Sequence, residues 1–387
     1  MIIGIDYTAA LHQGGGIGRY TRELVRAIVS QGQQHSYRLF FAAGAIPAEN
    51  PYRAALWQLC REYAHVRAVP IPLSPRRLTQ LWQRARVPLP VELFAGRLDL
   101  VHATDFVLPP TRARTLLTVH DLSFLVFPEL TVPSMVRYLS AAVPRATRRA
   151  DIILADSQAT QRDLERLLHV PPAKIEIVYP GLSAGFGPRA PADCAEVKAR
   201  LGLPDRFLVF VSTLSPRKNV ERLVEAFALL VQSGRVANDL ALILIGQRGW
   251  MDESIFTAIE RAQLGERVRW LRFVGDDDLP AVYNLAAATV YPSLYEGFGL
   301  PALEALACGS PVVTADNSSL PEVVGQAAVL VDAASVASIA EGIARTLDDQ
   351  ALRERNRVVG IAQARKFTWE SAAAQVLACY NQLAPHR

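Results

Sequence analysis

An α/β chain of two parallel-sheet domains is the architecture this sequence predicts, and three observations predict it. Short apolar strand-like runs alternate with helical patterns from end to end, the 387 residues exceed one ordinary domain, and a Gly- and Pro-rich stretch, 185–191, falls near the middle. Strand and helix in alternation imply parallel strands joined by crossover helices. Two domains of about 180 to 190 residues each suit the size at which single cores stop growing. Half the residues are hydrophobic and a fifth charged, enough for two cores and too little charge for wholesale disorder.

In the first half, strand 2–6 leads into the glycine loop Gly14-Gly15-Gly16-Ile17-Gly18 and a helix over 19–30 with Leu24, Val25, Ile28 and Val29 as its apolar face. That order lets backbone N–H groups approach a diphosphate or sugar, although a glycine run also serves as a plain connection. Further strands are expected at 37–42, 98–103, 115–119 and 152–155. Ligands of open parallel sheets bind beyond the carboxyl ends of strands. His102 and His120 both fall at such ends, and His120, followed by Asp121, should emerge there. The plainer reading, a histidine satisfying local backbone groups, fits His102 better. Between them in kind stands the irregular segment 70–97, broken by Pro88 and Pro90. Within it Leu78, Leu81 and Trp82 share a helical face while Arg76, Arg77, Arg84 and Arg86 supply charge. This is the composition of an interfacial helix on an anionic membrane, and equally of an ordinary surface helix with a wet basic face.

Strand 175–178 ends the first half at Tyr179-Pro-Gly181, and the linker follows. The second half restarts with strand 207–212, then Ser215-Pro-Arg-Lys-Asn219 and a helix over 220–231 that Asn219 should cap. Arg217 and Lys218 would lie at the positive end of that helix, which is unfavourable unless an anion joins them, so they mark a diphosphate site. Strands 240–245, 268–274, 289–291 and 311–314 follow. Gly275-Asp-Asp-Asp278 has the composition of a divalent metal site but precedes a helix over 279–288, so it reads as a cap with favourable dipole charge. Helices over 335–348 and 350–366 come next, and Thr368 caps a last helix running to 383.

The stretch 294–309 holds two glutamates, Glu296 and Glu304, around a turn and a helix start. Pro301 suits a first turn and Gly309 a helix end, giving a short helix over 300–308 whose N-terminus suits a phosphate. Both carboxylates should therefore face hydroxyls.

Composition excludes several classes. The net charge of +4 hides an asymmetry: residues 1–180 carry 21 basic against 14 acidic residues, and the rest 20 against 23. A basic first half suits an anionic substrate or membrane surface; no nucleic-acid motif accompanies it. Cys60, Cys194, Cys308 and Cys379 form no Cys-x-x-Cys pair, which argues against a zinc site or disulfide framework and for a reducing cytoplasm. No signal peptide or membrane span is expected. A nicotinamide dehydrogenase is disfavoured because no Gly-x-Gly-x-x-Gly follows the first strand.

Arg217-Lys218 with Glu296-(seven residues)-Glu304, the loop 14–18, Thr118-Val-His-Asp121, Ala155-Asp-Ser157, Tyr179-Pro-Gly181, Gly275 and the run 291–313 together resemble the retaining glycosyltransferases of family 4, which have the GT-B fold. The likeness covers nearly the whole chain; 291–313 is long and specific, and the short motifs come in the family order. It implies two Rossmann-like domains facing a cleft: 1–183 on the acceptor side, 184–368 for a nucleotide-sugar, and a helix in 369–387 crossing back onto the first domain. It further implies Arg217 and Lys218 on the diphosphate, Glu304 on the ribose, backbone near Val274 around the base, Glu296 on sugar hydroxyls, and the amides of Phe298, Gly299 and Leu300 near sugar and phosphates. His120 with Gly15 and Gly16 would complete the site. One departure is Ser212, where the family often has glycine.

The function so implied is a retaining hexosyltransferase that needs no cofactor or metal, with mannose from GDP-mannose as the expected donor sugar. The acceptor would be a glycan or lipid-linked saccharide, in the cytoplasm or at the inner membrane face through 76–86. A UDP-glucose-type donor, a non-hydrolysing UDP-sugar epimerase and a non-catalytic sugar-nucleotide-binding subunit are the alternatives.

Overall fold

The computed structural model describes residues 1–44, 46–47 and 49–384. Among the described residues thirteen strands form two all-parallel sheets, one in each of two compact units. The first unit comprises Met1–Leu125, Ser134–Gly181 and Thr368–Arg387, the second Val126–Pro133 and Leu182–Phe367. The segment 126–133, placed with the first domain by sequence, thus groups with the second. Trp250 Nε1 donates to Leu130 O at 2.9 Å and the Phe127 and Tyr295 rings meet edge to face, which supplies the reason.

In the first unit the strands are β1 (Ile2–Asp6), β2 (Ser36–Ala42), β3 (Val66–Ile71), β4 (Leu100–Ala103), β5 (Arg114–Val119), β6 (Ile152–Ala155) and β7 (Ile175–Ile177). Their order is β3-β2-β1-β4-β5-β6-β7, so the winding reverses between β1 and β4. Central strands covered on both faces need continuous apolar sequence, and Ile3, Ile5, Val101, Leu116, Leu117, Ile153 and Leu154 are fully buried. Strand β3 was not foreseen. It is an edge strand containing Pro70, a residue a ladder tolerates only at an edge, and its last two residues fall in the segment 70–97 expected to be irregular.

The last helix, Trp369–Gln382, belongs to this unit and buries Trp369, Ala373, Val376 and Tyr380 in its core. The Thr368 hydroxyl caps it, accepting from Ser371 N as expected. Where the two segments cross, a Cβ on Gly181 would lie 2.2 Å from Trp369 N, so only glycine fits. His102 is the structural histidine: fully buried, it lies 2.8 Å from the Tyr380 hydroxyl and 3.1 Å from Thr118 Oγ1, and burial lowers it to about 3, so it stays neutral.

The segment 76–86 forms a short helix, Pro75–Leu78, that runs into a π-helical turn, Thr79–Arg84. Its apolar side is not free: Leu78 is buried and Trp82 packs against the same core cluster, with Phe40, Val91 and Val101. The arginines remain on the outside, so of the two components of a membrane-inserting helix only the charge is exposed.

The second unit holds β8 (Arg206–Val211), β9 (Leu240–Ile245), β10 (Val268–Trp270), β11 (Ala288–Tyr291), β12 (Val312–Ala315) and β13 (Ala328–Val331), in the order β10-β9-β8-β11-β12-β13. Here the winding reverses between β8 and β11. The expected strand 268–274 is cut to three residues, because Arg272 turns the chain away with φ 55°. Among the described residues no helix is long and apolar enough to cross a membrane.

Candidate active site

The carboxyl ends of β8 and β11 flank the reversal of the second sheet, the place where open α/β sheets present ligand-binding loops. After β8 the chain makes a 3-10 turn, Pro216–Lys218, and the helix Val220–Gln232 follows. Asn219 does not cap that helix through its side chain. It adopts φ 61°, and its amide donates to Pro292 O at 2.9 Å and Ala333 O at 2.7 Å, tying together the loops after β8, β11 and β13. The two cations are therefore held in place by a buried side-chain tie.

Both cations turn onto one carboxylate. Lys218 Nζ lies 2.6 Å from Glu296 Oε1, and Arg217 Nη1 lies 3.1 Å from Oε2 while also donating to Tyr295 O. Burial alone would raise the Glu296 carboxyl, but Lys218 and Arg217 outweigh it and hold it at about 2. Lys218 also donates to the Tyr291 hydroxyl at 2.8 Å; burial pushes that phenol well above its usual value, so it stays neutral. Glu296 thus faces charge and not hydroxyls alone, and the cluster of two cations and one anion keeps a net positive charge suited to a phosphate.

The loop bearing Glu296 is fixed by residues the sequence reading passed over. Ser318 Oγ accepts from Glu296 N at 2.9 Å, and the single Ser319 hydroxyl proton is shared between Phe298 O at 2.7 Å and Glu296 O at 3.0 Å. Their only sequence signal is the small polar run Asn317-Ser-Ser319 before a helix. Phe298 is buried against the Phe367 ring, and Gly299, at φ 110°, starts the helix Leu300–Ala307. Leu300 is half-buried at its first position. Glu304, one turn in, is 3 % exposed and accepts from the Tyr283 hydroxyl at 3.1 Å. Val274 is buried beyond β10. Asp278, expected as a cap, instead binds both Arg200 nitrogens at 2.7 and 2.9 Å and makes no capping hydrogen bond. Among the described residues no group of histidines, cysteines and carboxylates is arranged to hold a metal ion.

The first unit carries its own polar cluster at strand carboxyl ends. His120 follows β5; its Nδ1 is 2.7 Å from Asp156 Oδ2 and its Nε2 is 2.9 Å from Thr104 O. Burial works against protonation, yet the Asp156 carboxylate more than offsets it and raises His120 to about 9. Both ring nitrogens therefore donate and the imidazole is a cation, unsuited to act as a general base. Asp156, in the motif Ala155-Asp-Ser157, is a partner the sequence reading did not assign. Asp6, which burial raises to about 6, and Asp105, raised likewise, lie at the ends of the adjacent β1 and β4. In the glycine loop, Gly18 is obligatory, since a Cβ there would lie 1.8 Å from Gln13 O. A Cβ on Gly15 or Gly16 would meet nothing within 4 Å, so packing does not explain those two.

Two family models divide the chain: residues 14–185 match Glycosyltransferase Family 4 and residues 195–363 match Glycosyl transferases group 1. The O-antigen chain mannosyltransferase B of Escherichia coli is 34% identical over 373 residues, 95% of this chain and 96% of that one. Among solved structures, the sucrose-phosphate synthase of Thermosynechococcus elongatus superposes with a TM-score of 0.74 at 22% identity, covering 99% of each chain. Anabaena HepE, solved in complex with UDP and glucose, gives 0.76 at 20% identity over 98% of this chain and 99% of that one.

Proposed function

Since the chain belongs to the group 1 glycosyltransferases, with a family 4 N-terminal domain and the GT-B fold, we propose that it moves mannose from GDP-mannose to a glycan or lipid-linked acceptor in polysaccharide synthesis, with retention at the anomeric carbon. The observation that carries this reading is the Arg217–Lys218–Glu296 cluster at the sheet reversal. Breaking the bond from sugar to nucleotide leaves negative charge growing on the departing phosphate. Two cations fixed before reaction begins stabilise that charge without reorganising, which is the most effective form of electrostatic catalysis.

In this reading Arg217 and Lys218 bind the diphosphate, and Glu296 orients them and reaches the sugar hydroxyls. Glu304 takes the ribose and the chain near Val274 the base, while Phe298, Gly299 and Leu300 flank sugar and phosphates. Cationic His120, with Gly15 and Gly16, contributes from the first unit. The departing phosphate oxygen takes the proton of the acceptor hydroxyl on the face it leaves, so the new bond forms with retained configuration and no separate general base is required. The 34% identity with a mannosyltransferase, spread over 95% of this chain, favours mannose over other sugars.

The test is a panel of nucleotide-sugars incubated with the purified protein, with and without a mannose-terminated oligosaccharide, read by mass spectrometry. GDP release from GDP-mannose with a product heavier by one hexose, in α configuration by NMR, is the expected result. UDP release from UDP-glucose in its place would overturn the donor assignment. Sugar isomerisation without acceptor would point to an epimerase, and binding with no product to a non-catalytic subunit.

A further inference from the structure

On the first unit, a cavity of about 500 Å3 is lined by Trp82 and by four arginines, Arg86, Arg112, Arg145 and Arg149. Part of its wall, Leu108, Pro110, Thr111 and Arg112, belongs to the connection from β4 to β5.

Four like charges around one cavity repel one another, and none of the four takes part in an ion pair among the described residues. Two are aimed by neutral acceptors: Arg145 Nη2 donates to Gln83 O at 3.2 Å and Arg149 Nη2 to Pro109 O at 3.1 Å. Gln83 Nε2 in turn donates to Leu108 O at 2.9 Å, joining the walls. The side chains of Arg86 and Arg112 make no hydrogen bond among the described residues. The neighbouring carboxylate, Glu92, makes no ion pair with them among the described residues; its Oε1 accepts from Thr111 Oγ1, Arg112 N and Ala113 N, which orders the backbone of that wall. Two irregularities border the cavity, the π-helical turn Thr79–Arg84 and Arg86 at φ 54°; both are backbone forms that gather at functional sites. A size of this order is typical of small-ligand sites.

We propose that this cavity binds a phosphate-bearing anion, gripped by the four guanidinium groups beside the Trp82 wall. Guanidinium forks match phosphate oxygens two at a time, and the charge they lack within the protein is the charge such a ligand brings. A soluble pyrophosphate or phosphorylated saccharide and a phospholipid headgroup share this chemistry. The proposal stands apart from the transfer reaction and its test does not use turnover.

Inorganic pyrophosphate is titrated calorimetrically into wild type, R86Q/R112Q and K218M, and the same proteins are sedimented with vesicles of phosphatidylcholine alone or with phosphatidylglycerol. Removing two charge-assisted contacts should weaken pyrophosphate binding in R86Q/R112Q by about tenfold or more, while K218M keeps the cavity's share. R145Q/R149Q, at the opposite wall, should do the same. R86Q/R112Q should melt with wild type, because neither side chain is bonded in the fold. Loss of phosphatidylglycerol-vesicle binding in the variant identifies a headgroup ligand; pyrophosphate binding without vesicle binding identifies a soluble one. Equal pyrophosphate and vesicle binding by wild type and R86Q/R112Q, or no binding of either probe by wild type, overturns the proposal.

Discussion

Lys218 Nζ and Glu296 Oε1, 78 residues apart in sequence, meet at 2.6 Å inside the second unit, where each side chain is about a tenth exposed or less. Breaking one partner of such a pair leaves the other buried and uncompensated. K218M leaves Glu296 with Arg217 alone and should lower stability by about 3 kcal/mol, whereas K218M/E296Q should lose less than the two single changes added together. Denaturant unfolding of the four proteins measures the coupling, and a coupling near zero would show that the pair carries no stability. Turnover of K218M should fall by about a hundredfold or more, the usual cost of removing one preorganised group aimed at developing charge.

The same pair sets a lower pH limit. Glu296 titrates at about 2 in the fold against 4.5 ordinarily, so the unfolded chain binds its proton first as pH falls. Its contribution is complete above 4.5 and is lost as pH drops toward 2. E296Q should show a shallower loss of stability in that window by thermal unfolding. An unchanged slope would place the acid sensitivity elsewhere.

His120 works in the opposite direction. Raised to about 9 from an ordinary 6.5, it keeps its proton in the fold at pH values where the unfolded chain has released it. The stabilisation is complete below 6.5 and declines as pH rises through 9. In D156N the carboxylate that raises it is gone, so the fall in melting temperature between pH 6.5 and 9 should flatten. NMR of the imidazole should show its titration moving down. A slope that D156N leaves unaltered would remove His120 as its source.

How much of this was legible in the chain depended on the range of the cause. Strands β1, β6 and β9 were placed to the residue, because apolar runs bounded by turn residues are local signals. The helix starts at Pro301 and Thr368 were equally local. Asn219 was misjudged because its amide is claimed by Pro292 and Ala333, loops from distant strands that no local rule foresees. Asp278 was misjudged for the same reason, Arg200 being its partner. Sequence singled out Arg217, Lys218 and Glu296, but not their mutual arrangement. Sequence assigned Arg217 and Lys218 to a phosphate and Glu296 to hydroxyls; only the fold shows one carboxylate shared by both cations.

The glycine loop separates packing from function. A Cβ on Gly18 would collide with Gln13 O, so G18A should unfold or strongly destabilise the first unit. G15A meets nothing within 4 Å and should melt with wild type, while losing activity if its backbone approaches the ligand. Melting curves and initial rates on the two proteins decide this, and full activity in G15A would take Gly15 out of the site.

Tyr380 and His102 hold the last helix to the first sheet through a contact of 2.8 Å across 278 residues. Both are fully buried, so the nitrogen that faces the hydroxyl has no water to turn to. Y380F deletes the hydroxyl while preserving the ring and its edge-to-face packing on His102. The expected cost is that of an orphaned buried polar group, about 1 to 3 kcal/mol. Because the helix Trp369–Gln382 is joined to its unit by side-chain packing, the loss should fall first on its own opening. Amide exchange should accelerate over 369–382 in Y380F while β8 and β9 keep their protection. A uniform rise across both units would mean that the helix opens only when the whole chain unfolds.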